Sequence, residues 1–268
     1  GDIRDYDSVN NAIKNHDVVI HLAALIGIPY SYISPLAYIK TNIEGTYNVL
    51  EASKNNNIKQ IIITSTSETY GSAQYVPIDE NHRKIGQSPY AASKIAADQL
   101  ALSYFQSFKL PIKIIRPFNT FGPRQSTRAI ISTIIKQIIT AKNKKIYLGN
   151  TFPTRDFTFV KDTCLAIKKI IESKKGFGEE FNIGTGKEIS ILELVKKISM
   201  ILDKNINYAV DNKRLRGKNT EVNRLCCDNE KIFNFFQWSP KYNLDQGLKE
   251  TIIWCTENEK YLSENYHV

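Results

Sequence analysis

The amino-acid sequence predicts an α/β fold with a doubly wound parallel sheet, and two observations support it. Three apolar runs have the length and character of buried strands, at 17–23, 59–65 and 112–118. Segments with a period near 3.6 residues separate them, at 43–54 and 88–108. Strands that alternate with helices form β-α-β units, so we expect a parallel sheet with helices on both faces.

Each of these elements has local support in the sequence. The first strand ends in HLAA (21–24), whose small residues would let a ligand approach the backbone closely. The second strand, KQIIITS, and the third, IKIIRPF, are almost continuously apolar, as expected of strands buried on both faces. The helix at 88–108 has Pro89 near its start, where the missing N–H leaves no hydrogen bond unmade.

After Gly122 the pattern loosens into shorter elements. We predict a helix at 128–141, a strand at 145–148 and helices at 189–202 and 246–259. The sequence therefore predicts two domains. Residues 1–122 form the larger sheet domain, and residues 123–268 form a smaller α/β domain that is interleaved with the sheet.

Composition limits the class of protein. With 268 residues, 42% hydrophobic and 24% charged, the chain fits one globular unit, or a large domain carrying a smaller one. No run approaches the ~18 apolar residues of a membrane span, and the first residues lack the features of a signal peptide. The net charge of +9 comes from scattered lysines, without a basic run interleaved with aromatic residues. We expect a cytoplasmic protein with neither a membrane nor a nucleic-acid partner.

The four cysteines and four histidines are not spaced as metal ligands, so we expect no metal site. Cys226 and Cys227 are neighbours, which point to opposite faces of an extended strand and suit neither a disulfide nor one metal. We expect Asp162 to cap the helix that follows it. The sequence GTGK (184–187) lacks the spacing of a phosphate-binding loop and predicts a turn.

A candidate catalytic pair lies in the helix at 88–108. Tyr90 and Lys94 are four residues apart, so a helix places them on one face, about a turn apart. A lysine ammonium beside a phenol favours the phenolate, which predicts a lowered pKa for Tyr90. The motif is weak by itself, because Y-x-x-x-K occurs by chance in many helices.

The segments that follow the strands strengthen this interpretation. The second strand runs into STSETYG (65–71), a group of hydroxyls around the carboxylate of Glu68. The third strand ends in RPFNTFGPR (116–124). Ligands of open α/β sheets bind at the carboxyl ends of the strands, so the sequence predicts a site at that edge.

These motifs, together with RDFTFVKD (155–162), resemble the extended short-chain dehydrogenase/reductases of the NAD-dependent epimerase/dehydratase family, which act on nucleotide sugars. The resemblance covers nearly the whole chain. It implies a Rossmann-type doubly wound parallel sheet with a smaller C-terminal α/β substrate domain. STSETYG with the nearby AQYVPIDE, and RPFNTFGPRQSTRA, resemble in particular the nucleotide-N-acetylglucosamine 4,6-dehydratases of legionaminic-acid-type pathways.

The resemblance also implies NAD as the cofactor, a nucleotide sugar as the substrate and roles for the matching residues. The catalytic group would comprise Thr66, Ser67, Glu68, Tyr90 and Lys94. Contacts to NAD would come from Asp2, Ile3, Leu22, Ala23, Ala24 and Ser65, together with Tyr90 and Lys94. Contacts to the substrate would come from Asn119, Arg155 and Arg216, because arginine binds phosphates through paired hydrogen bonds. A homodimer through the helices at 43–54 and 88–108 is also implied.

In the dehydratase reaction that the resemblance implies, Tyr90 takes the C4 hydroxyl proton while hydride leaves C4. Glu68 removes the C5 proton, water leaves from C6, and the hydride returns to C6. Many 4,6-dehydratases carry Thr-Asp-Glu where this chain has Thr-Ser-Glu at 66–68, and a serine cannot simply replace that acid. Either Glu68 passes its proton to the leaving group, or a water or a neighbouring hydroxyl relays it.

Two related activities stay open as alternatives. A UDP-glucuronate-type decarboxylase shares the Thr-Ser-Glu triplet and could use Arg155 or Arg124 to bind the carboxylate. A 4-epimerase would leave Glu68 without a C5 proton to remove. The base of the nucleotide (UDP, GDP or dTDP) also stays open, and UDP- or GDP-N-acetylglucosamine is the substrate that the resemblance favours.

The sequence lacks a glycine-rich phosphate loop. No G-x-G-x-x-G precedes Asp17, although dinucleotide folds open with a strand, that loop and a helix. We therefore expect an N-terminal truncation in which the strand at 17–23 becomes an exposed edge. An alternative of another class is an inactive fragment that only binds a sugar nucleotide.

Overall fold

The structure, a computed structural model, describes residues 1–141, 144–214 and 222–262. Helices and strands alternate along the first part of the chain. In order, the elements are α1 (Tyr6–Ile13), β1 (Val18–His21), α2 (Ile28–Ile33), α3 (Pro35–Tyr38), a π-helical segment (Ile39–Glu44), α4 (Gly45–Asn55), β2 (Gln60–Thr64), a 3₁₀ turn (Ser67–Tyr70), α5 (Pro89–Phe108), β3 (Ile112–Pro117) and β4 (Thr120–Phe121).

The second part adds shorter strands and six helices to the described chain. In order, these elements are α6 (Ile130–Thr140), β5 (Lys145–Leu148), β6 (Thr154–Asp156), β7 (Thr158–Phe159), α7 (Val160–Glu172), β8 (Glu180–Ile183), β9 (Glu188–Ser190), α8 (Ile191–Ile201), β10 (Asn207–Val210), a 3₁₀ turn (Asn212–Arg214), β11 (Arg224–Leu225), α9 (Glu230–Phe236), α10 (Leu244–Glu257) and α11 (Glu259–Leu262).

Four strands form one parallel sheet, in the order β1, β2, β3, β8. Successive isoleucines of β2 face opposite sides of it, as the pleat of a strand requires. Ile61 and Ile63 pack in a core with residues of α1, α4 and α5. Ile62 packs on the other side with residues of α7 and α9. Helices thus cover both faces, and the predicted α/β class with a doubly wound parallel sheet is confirmed.

The two parts of the chain are interleaved. β8 comes from the second part and pairs with β3, aligning Phe181 with Ile115. A further core lies between α6, α8 and α10, where Ile134, Leu194 and Leu248 are fully buried. The boundary between domains 1–122 and 123–268 stays a prediction.

Two local predictions are corrected by the structure. The predicted helix at 43–54 begins earlier, because the π-helical segment Ile39–Glu44 leads into α4. Asp162 does not cap α7, because the helix already begins at Val160 and Phe159 occupies the capping position. The Asp162 carboxylate instead accepts hydrogen bonds from the backbone N–H groups of Lys241 and Tyr242, at 2.8 and 3.0 Å.

β1 lies at the edge of the sheet within the described residues. Ile20 in this strand is 41% exposed, and Leu22 just after it is 64% exposed. An apolar strand edge of this kind favours pairing with another strand.

Candidate functional site

The predicted site segments meet at one edge of the sheet. β1, β2 and β3 are parallel, so their carboxyl ends point in the same direction. Residues 22–24 follow β1, residues 65–68 follow β2, and Asn119 follows β3. The topology therefore brings together segments that are far apart in the sequence.

Helix α5 carries Tyr90 and Lys94 on its buried face, one turn apart. The helix begins after Ser88, whose hydroxyl accepts a hydrogen bond from the N–H of Ala91 at 3.1 Å. Lys94 Nζ donates to the carbonyl oxygen of Thr64 at 2.7 Å. This bond fixes the predicted catalytic pair against the carboxyl end of β2.

Burial controls the ionisation of both side chains. Tyr90 is 7% exposed and Lys94 is 3% exposed. Burial raises the pKa of Tyr90 well above its usual value, and a hydrogen bond with the Thr66 hydroxyl acts in the opposite direction. Burial lowers the pKa of Lys94. The predicted lowering of the Tyr90 pKa by Lys94 is not found, because desolvation of the buried phenolate is the larger effect.

The 3₁₀ turn after β2 presents the other predicted catalytic groups. The Thr66 hydroxyl accepts a hydrogen bond from the N–H of Glu68 at 3.2 Å. Within the described residues, the half-buried Glu68 carboxylate makes no hydrogen bond and no ion pair. Its charge raises the pKa of Tyr90, so the two groups lie close enough to interact. Ser67 is 3% exposed, so its hydroxyl is largely removed from solvent.

Ser65 is tied to the interior of the protein. Its hydroxyl donates to Asp98 Oδ2 at 2.7 Å, and the same oxygen accepts a hydrogen bond from Arg116 Nη2 at 2.8 Å. The hydroxyl proton of Ser65 is therefore already used within the protein. Sequence reasoning missed Asp98, although its position four residues after Lys94 indicates a shared helix face.

The segments predicted to contact the cofactor differ in exposure. Leu22 and Ala23 are exposed, and Ala24 is half-buried. Ile3 packs beside the core of α4, and its carbonyl accepts a hydrogen bond from Asn48 Nδ2 at 3.0 Å. Hydrogen bonds from Arg4 lower the pKa of the exposed Asp2 to about 2.

Asn42, in the π-helical segment, holds the chain that follows β1. Its side chain bonds to the N–H and the carbonyl of Leu25, at 2.9 and 3.0 Å. It also donates to Ser93 Oγ on α5 at 2.9 Å. Asn42 therefore joins the segment that follows β1 to the helix that bears Tyr90. No pattern in the sequence indicated this role.

The predicted substrate contacts lie around Asp156. Asn119 Nδ2 donates to the carbonyl of Asp156 at 3.3 Å. Arg155, the neighbour of Asp156 in β6, is 8% exposed and donates to the carbonyl of Thr154 at 2.9 Å. Arg216 lies outside the described residues. The structure therefore brings Asn119 and Arg155 to one region, in two adjacent segments.

The buried Asp156 carboxylate ties three segments together, a role that sequence reasoning missed. It accepts hydrogen bonds from the N–H and the hydroxyl of Thr185, at 3.0 and 2.6 Å, and from the N–H groups of Gly186 and Cys227, at 2.8 and 3.2 Å. Burial raises its pKa, and these hydrogen bonds oppose the rise. The GTGK sequence forms the loop between β8 and β9 rather than a turn directly before a helix, and two of its N–H groups bind Asp156.

His21 ends β1 and lies close enough to Lys94 to feel its charge. It is 4% exposed, and Nε2 lies 3.1 Å from the Thr46 hydroxyl. Burial and the charge of Lys94 lower its pKa to about 4. Across the described residues, no group of three or more histidine, cysteine, aspartate and glutamate side chains could hold a metal ion. No helix in the same part of the chain has the length and apolar character needed to cross a membrane.

The family model for GDP-mannose 4,6 dehydratase matches residues 1–251. The chain belongs to this family. The match spans both the sheet with its catalytic-type motifs and most of the second part of the chain. The predicted membership of the epimerase/dehydratase group of short-chain dehydrogenase/reductases is therefore confirmed, and the chain is an enzyme of the nucleotide-sugar dehydratase and epimerase type.

Family members with different activities are about equally similar to the chain. The dTDP-D-glucose 4,6-dehydratase of Dictyostelium discoideum is 32% identical, over 97% of this chain and 70% of the relative. The UDP-glucuronate 4-epimerase of Thermodesulfobacterium geofontis is also 32% identical, over 96% of this chain and 78% of the relative.

A solved family structure has the same fold. A double mutant of the dTDP-glucose 4,6-dehydratase DesIV from Streptomyces venezuelae, with NAD bound, matches with a TM-score of 0.88 and 25% identity. The match covers 97% of this chain and 80% of the other. The Rossmann-type arrangement expected from the sequence is thereby confirmed.

Proposed function

We propose that this chain is an NAD-dependent nucleotide-sugar 4,6-dehydratase whose substrate is UDP- or GDP-N-acetylglucosamine. The observation that carries the proposal is the position of Glu68. Its carboxylate has no partner within the described residues and lies near Tyr90 at the carboxyl edge of the sheet. A dehydratase needs a base for the C5 proton in addition to the group that acts at C4, and Glu68 supplies it.

The donors and surfaces at the sheet edge fit NAD. An ammonium has three donors, and Lys94 uses one on the carbonyl of Thr64 within the described residues, so two remain for ribose hydroxyls. The exposed Leu22 and Ala23 offer an apolar surface for a flat ring. When bound, NAD⁺ supplies the hydride acceptor for C4 of the sugar and the hydride donor for C6, so no external reductant is consumed.

Tyr90 acts at the C4 hydroxyl group. Its phenolate takes the hydroxyl proton, and Thr66, which shares a hydrogen bond with Tyr90, helps to hold that hydroxyl. Burial opposes formation of the phenolate, so positive charge near Tyr90 is needed to offset it. Lys94, one turn along α5, provides such a charge while it is protonated.

Glu68 acts next, at C5. The 4-keto sugar makes the C5 proton acidic, and the Glu68 carboxylate removes it while the C6 hydroxyl leaves as water. Ser67 lies where many dehydratases have an acid, and a hydroxyl is too weak an acid to protonate a leaving group by itself. Glu68 therefore passes the C5 proton to the leaving oxygen, directly or through a hydroxyl or water. A proton from solvent then restores C5.

The assignment to N-acetylglucosamine nucleotides rests on the resemblance of STSETYG and RPFNTFGPRQSTRA to enzymes with that substrate. Asn119, Arg155 and Arg216 are proposed to bind the sugar and the diphosphate. Arginine suits this role because it forms paired hydrogen bonds with phosphate. The net charge of +9 would attract a nucleotide sugar from solution.

A 4-epimerase is the second candidate, because an epimerase relative matches the dehydratase relative in identity, at 32% each. The two activities make different demands on Glu68. An epimerase returns the hydride to C4 and needs no base for C5.

We further propose a cytoplasmic homodimer formed through α4 and α5. Tyr47 on α4 and Phe108 at the end of α5 are 46% and 52% exposed, which is high for large apolar side chains. Substitution of Tyr47 by lysine should weaken the dimer, and sedimentation at several concentrations would measure the loss. A monomeric wild-type chain would contradict the proposal.

The proposed activity can be tested with the purified chain and NAD. Four substrates are supplied separately: UDP-N-acetylglucosamine, GDP-N-acetylglucosamine, dTDP-glucose and UDP-glucuronate. Mass spectrometry measures the masses of the products. Loss of one water from an N-acetylglucosamine nucleotide supports the proposal and names its base. Loss of carbon dioxide from the glucuronate indicates a decarboxylase, and an isomer of unchanged mass indicates an epimerase. Saturable binding without any product indicates a binding fragment.

A further inference from the structure

Helix α5 places a third ionisable residue in line with Tyr90 and Lys94. Asp98 lies four residues after Lys94 and eight after Tyr90, so the three side chains share one face of the helix. Asp98 is fully buried. A carboxylate removed from water in this way needs positive charge or hydrogen bonds around it.

Of the two carboxylate oxygens of Asp98, one is hydrogen-bonded and the other is not. Its Oδ2 accepts hydrogen bonds from Ser65 Oγ and Arg116 Nη2, at 2.7 and 2.8 Å. Its Oδ1 is buried and has no hydrogen-bond partner in the described part of the chain. Arg116 is shared with a second carboxylate, because it also forms an ion pair with Glu180.

Glu180 in turn has a second cation. Lys84 Nζ lies 2.6 Å from Glu180 Oε1, at the outer end of the same network. The charges therefore run in the order Lys84, Glu180, Arg116, Asp98. Asp98, at the inner end, is the carboxylate that acts favourably on Lys94, since its charge opposes the lowering of the Lys94 pKa by burial.

The other groups around the Tyr90–Lys94 pair give Lys94 no such support. His21 of β1 is neutral near pH 7, because burial and Lys94 together hold its pKa at about 4. Glu68 of the 3₁₀ turn and Tyr38 of α3 act on Tyr90 and raise its pKa, and so does the charge of Asp98 itself. The hydrogen bond from Lys94 to Thr64 ends on a neutral carbonyl.

We infer that Asp98 is the buried counter-ion that keeps Lys94 protonated, and that it is therefore a positioning residue for the Tyr90–Lys94 pair. The expected effect of Asp98 on catalysis rests on the proposed function, in which Lys94 favours the Tyr90 phenolate only while it is protonated. The electrostatic relationship itself needs neither substrate nor cofactor. The Ser65–Asp98 hydrogen bond also links α5 to the carboxyl end of β2.

The test measures the titration of Lys94 directly. In protein labelled with ¹³C-lysine, the Cε resonance of Lys94 is assigned by its absence in Lys94→Arg and followed against pH. In Asp98→Asn the pKa of Lys94 should fall by about one pH unit or more, the usual effect of losing a nearby opposite charge. Glu180→Gln removes the other carboxylate of Arg116 and should leave the Lys94 pKa nearly unchanged.

A second variant serves as the control for loss of stability. Asp98→Asn leaves Arg116 with one carboxylate and could unfold the protein, whereas Asp98→Asn combined with Arg116→Met removes both members of the ion pair. The double variant should show the same fall in the Lys94 pKa, and Asp98→Glu should restore the wild-type value. An unchanged Lys94 pKa in the double variant, or an equal fall in Glu180→Gln, would overturn the inference.

The same variants separate this inference from the proposed function. If the chain is a dehydratase, the pH range of activity of Asp98→Asn should move to lower pH, whereas Glu180→Gln should keep the wild-type range. A fall in the Lys94 pKa in a chain that dehydrates none of the substrates would support the counter-ion and contradict the proposed function. A chain that dehydrates one of the substrates, but whose Lys94 pKa does not change in Asp98→Asn, would support the proposed function and contradict the counter-ion.

Discussion

The ammonium of Lys94 donates a hydrogen bond to the carbonyl oxygen of Thr64 at 2.7 Å, which joins α5 to the carboxyl end of β2. Residues 65–68 begin at this point, so one contact brings the hydroxyls and the carboxylate of the 3₁₀ turn to the helix that bears Tyr90. The proposed catalytic group depends on this junction, and each of its members can be tested separately.

Tyr90→Phe should reduce product formation at least ~100-fold, because it removes the group that takes the C4 hydroxyl proton. The fold should be unchanged, since the ring that packs edge-on against Tyr38 is retained. Tyr104→Phe is the matched control on the same helix. It removes a hydroxyl that donates to Glu51 at 2.6 Å, away from the sheet edge, and should keep full activity. Equal rates for the two variants would exclude Tyr90 as the base.

Glu68→Gln should lower dehydration ~100-fold or more while leaving the melting temperature unchanged, because the carboxylate makes no contact in the described structure that the amide would break. Glu172→Gln, on the exposed surface of α7, is the control. Initial rates of water loss measure the effect. A Glu68→Gln enzyme of wild-type rate would favour the 4-epimerase.

We predict that Lys113 gives the free energy of unfolding an unusual dependence on pH. It is fully buried, donates to the carbonyls of Ile170 and Ser173, and lies over the rings of Phe177 and Phe236. Burial lowers its pKa from 10.5 to about 8. Between these two values the unfolded chain holds the proton and the folded chain does not, so this residue makes stability rise with pH there.

The comparison with Lys113→Met isolates this effect. Between pH 8 and 10.5, the free energy of unfolding of the wild type relative to Lys113→Met should rise by up to about 1.4 kcal/mol for each pH unit. Urea denaturation at a series of pH values measures it. If the free energies of unfolding of the two proteins changed with pH in parallel, the Lys113 pKa would not be lowered.

Asp156→Asn should destabilise the protein by about 3 kcal/mol, because an amide cannot accept all the hydrogen bonds that the carboxylate takes from Thr185, Gly186 and Cys227. Asp203→Asn makes the same change at an exposed turn and should have little effect. Thermal and denaturant unfolding would compare the two. Similar stabilities would mean that Asp156 does not tie its three segments together.

Sequence patterns predicted the strands of the sheet well where each was a long apolar run. β2 and β3 were placed to within a residue at each end. The fourth strand, Glu180–Ile183, was missed because Glu180 and Asn182 interrupt it, so it is not an apolar run like β2 and β3. The π-helical segment was missed because Asn42, the residue that it buries, is polar and adds nothing to an apolar period.

The site was predictable where chemistry and chain position coincide. Glu68 and Tyr90 were identified because each lies in a motif at a strand end or a helix start. Asn42, Asp98 and Asp156 were missed because their partners are distant in the sequence and meet them only through folding. The pKa of Tyr90 was predicted in the wrong direction, because pairwise spacing carries no information about burial.

The most direct test of the central claim is the reaction in deuterated water, with NAD and the preferred nucleotide sugar, followed by mass spectrometry and NMR of the product. We expect a 4-keto-6-deoxy sugar that has lost one water and carries one solvent deuterium at C5, because Glu68 removes the C5 proton and solvent replaces it. A product of unchanged mass without deuterium at C5 would contradict it.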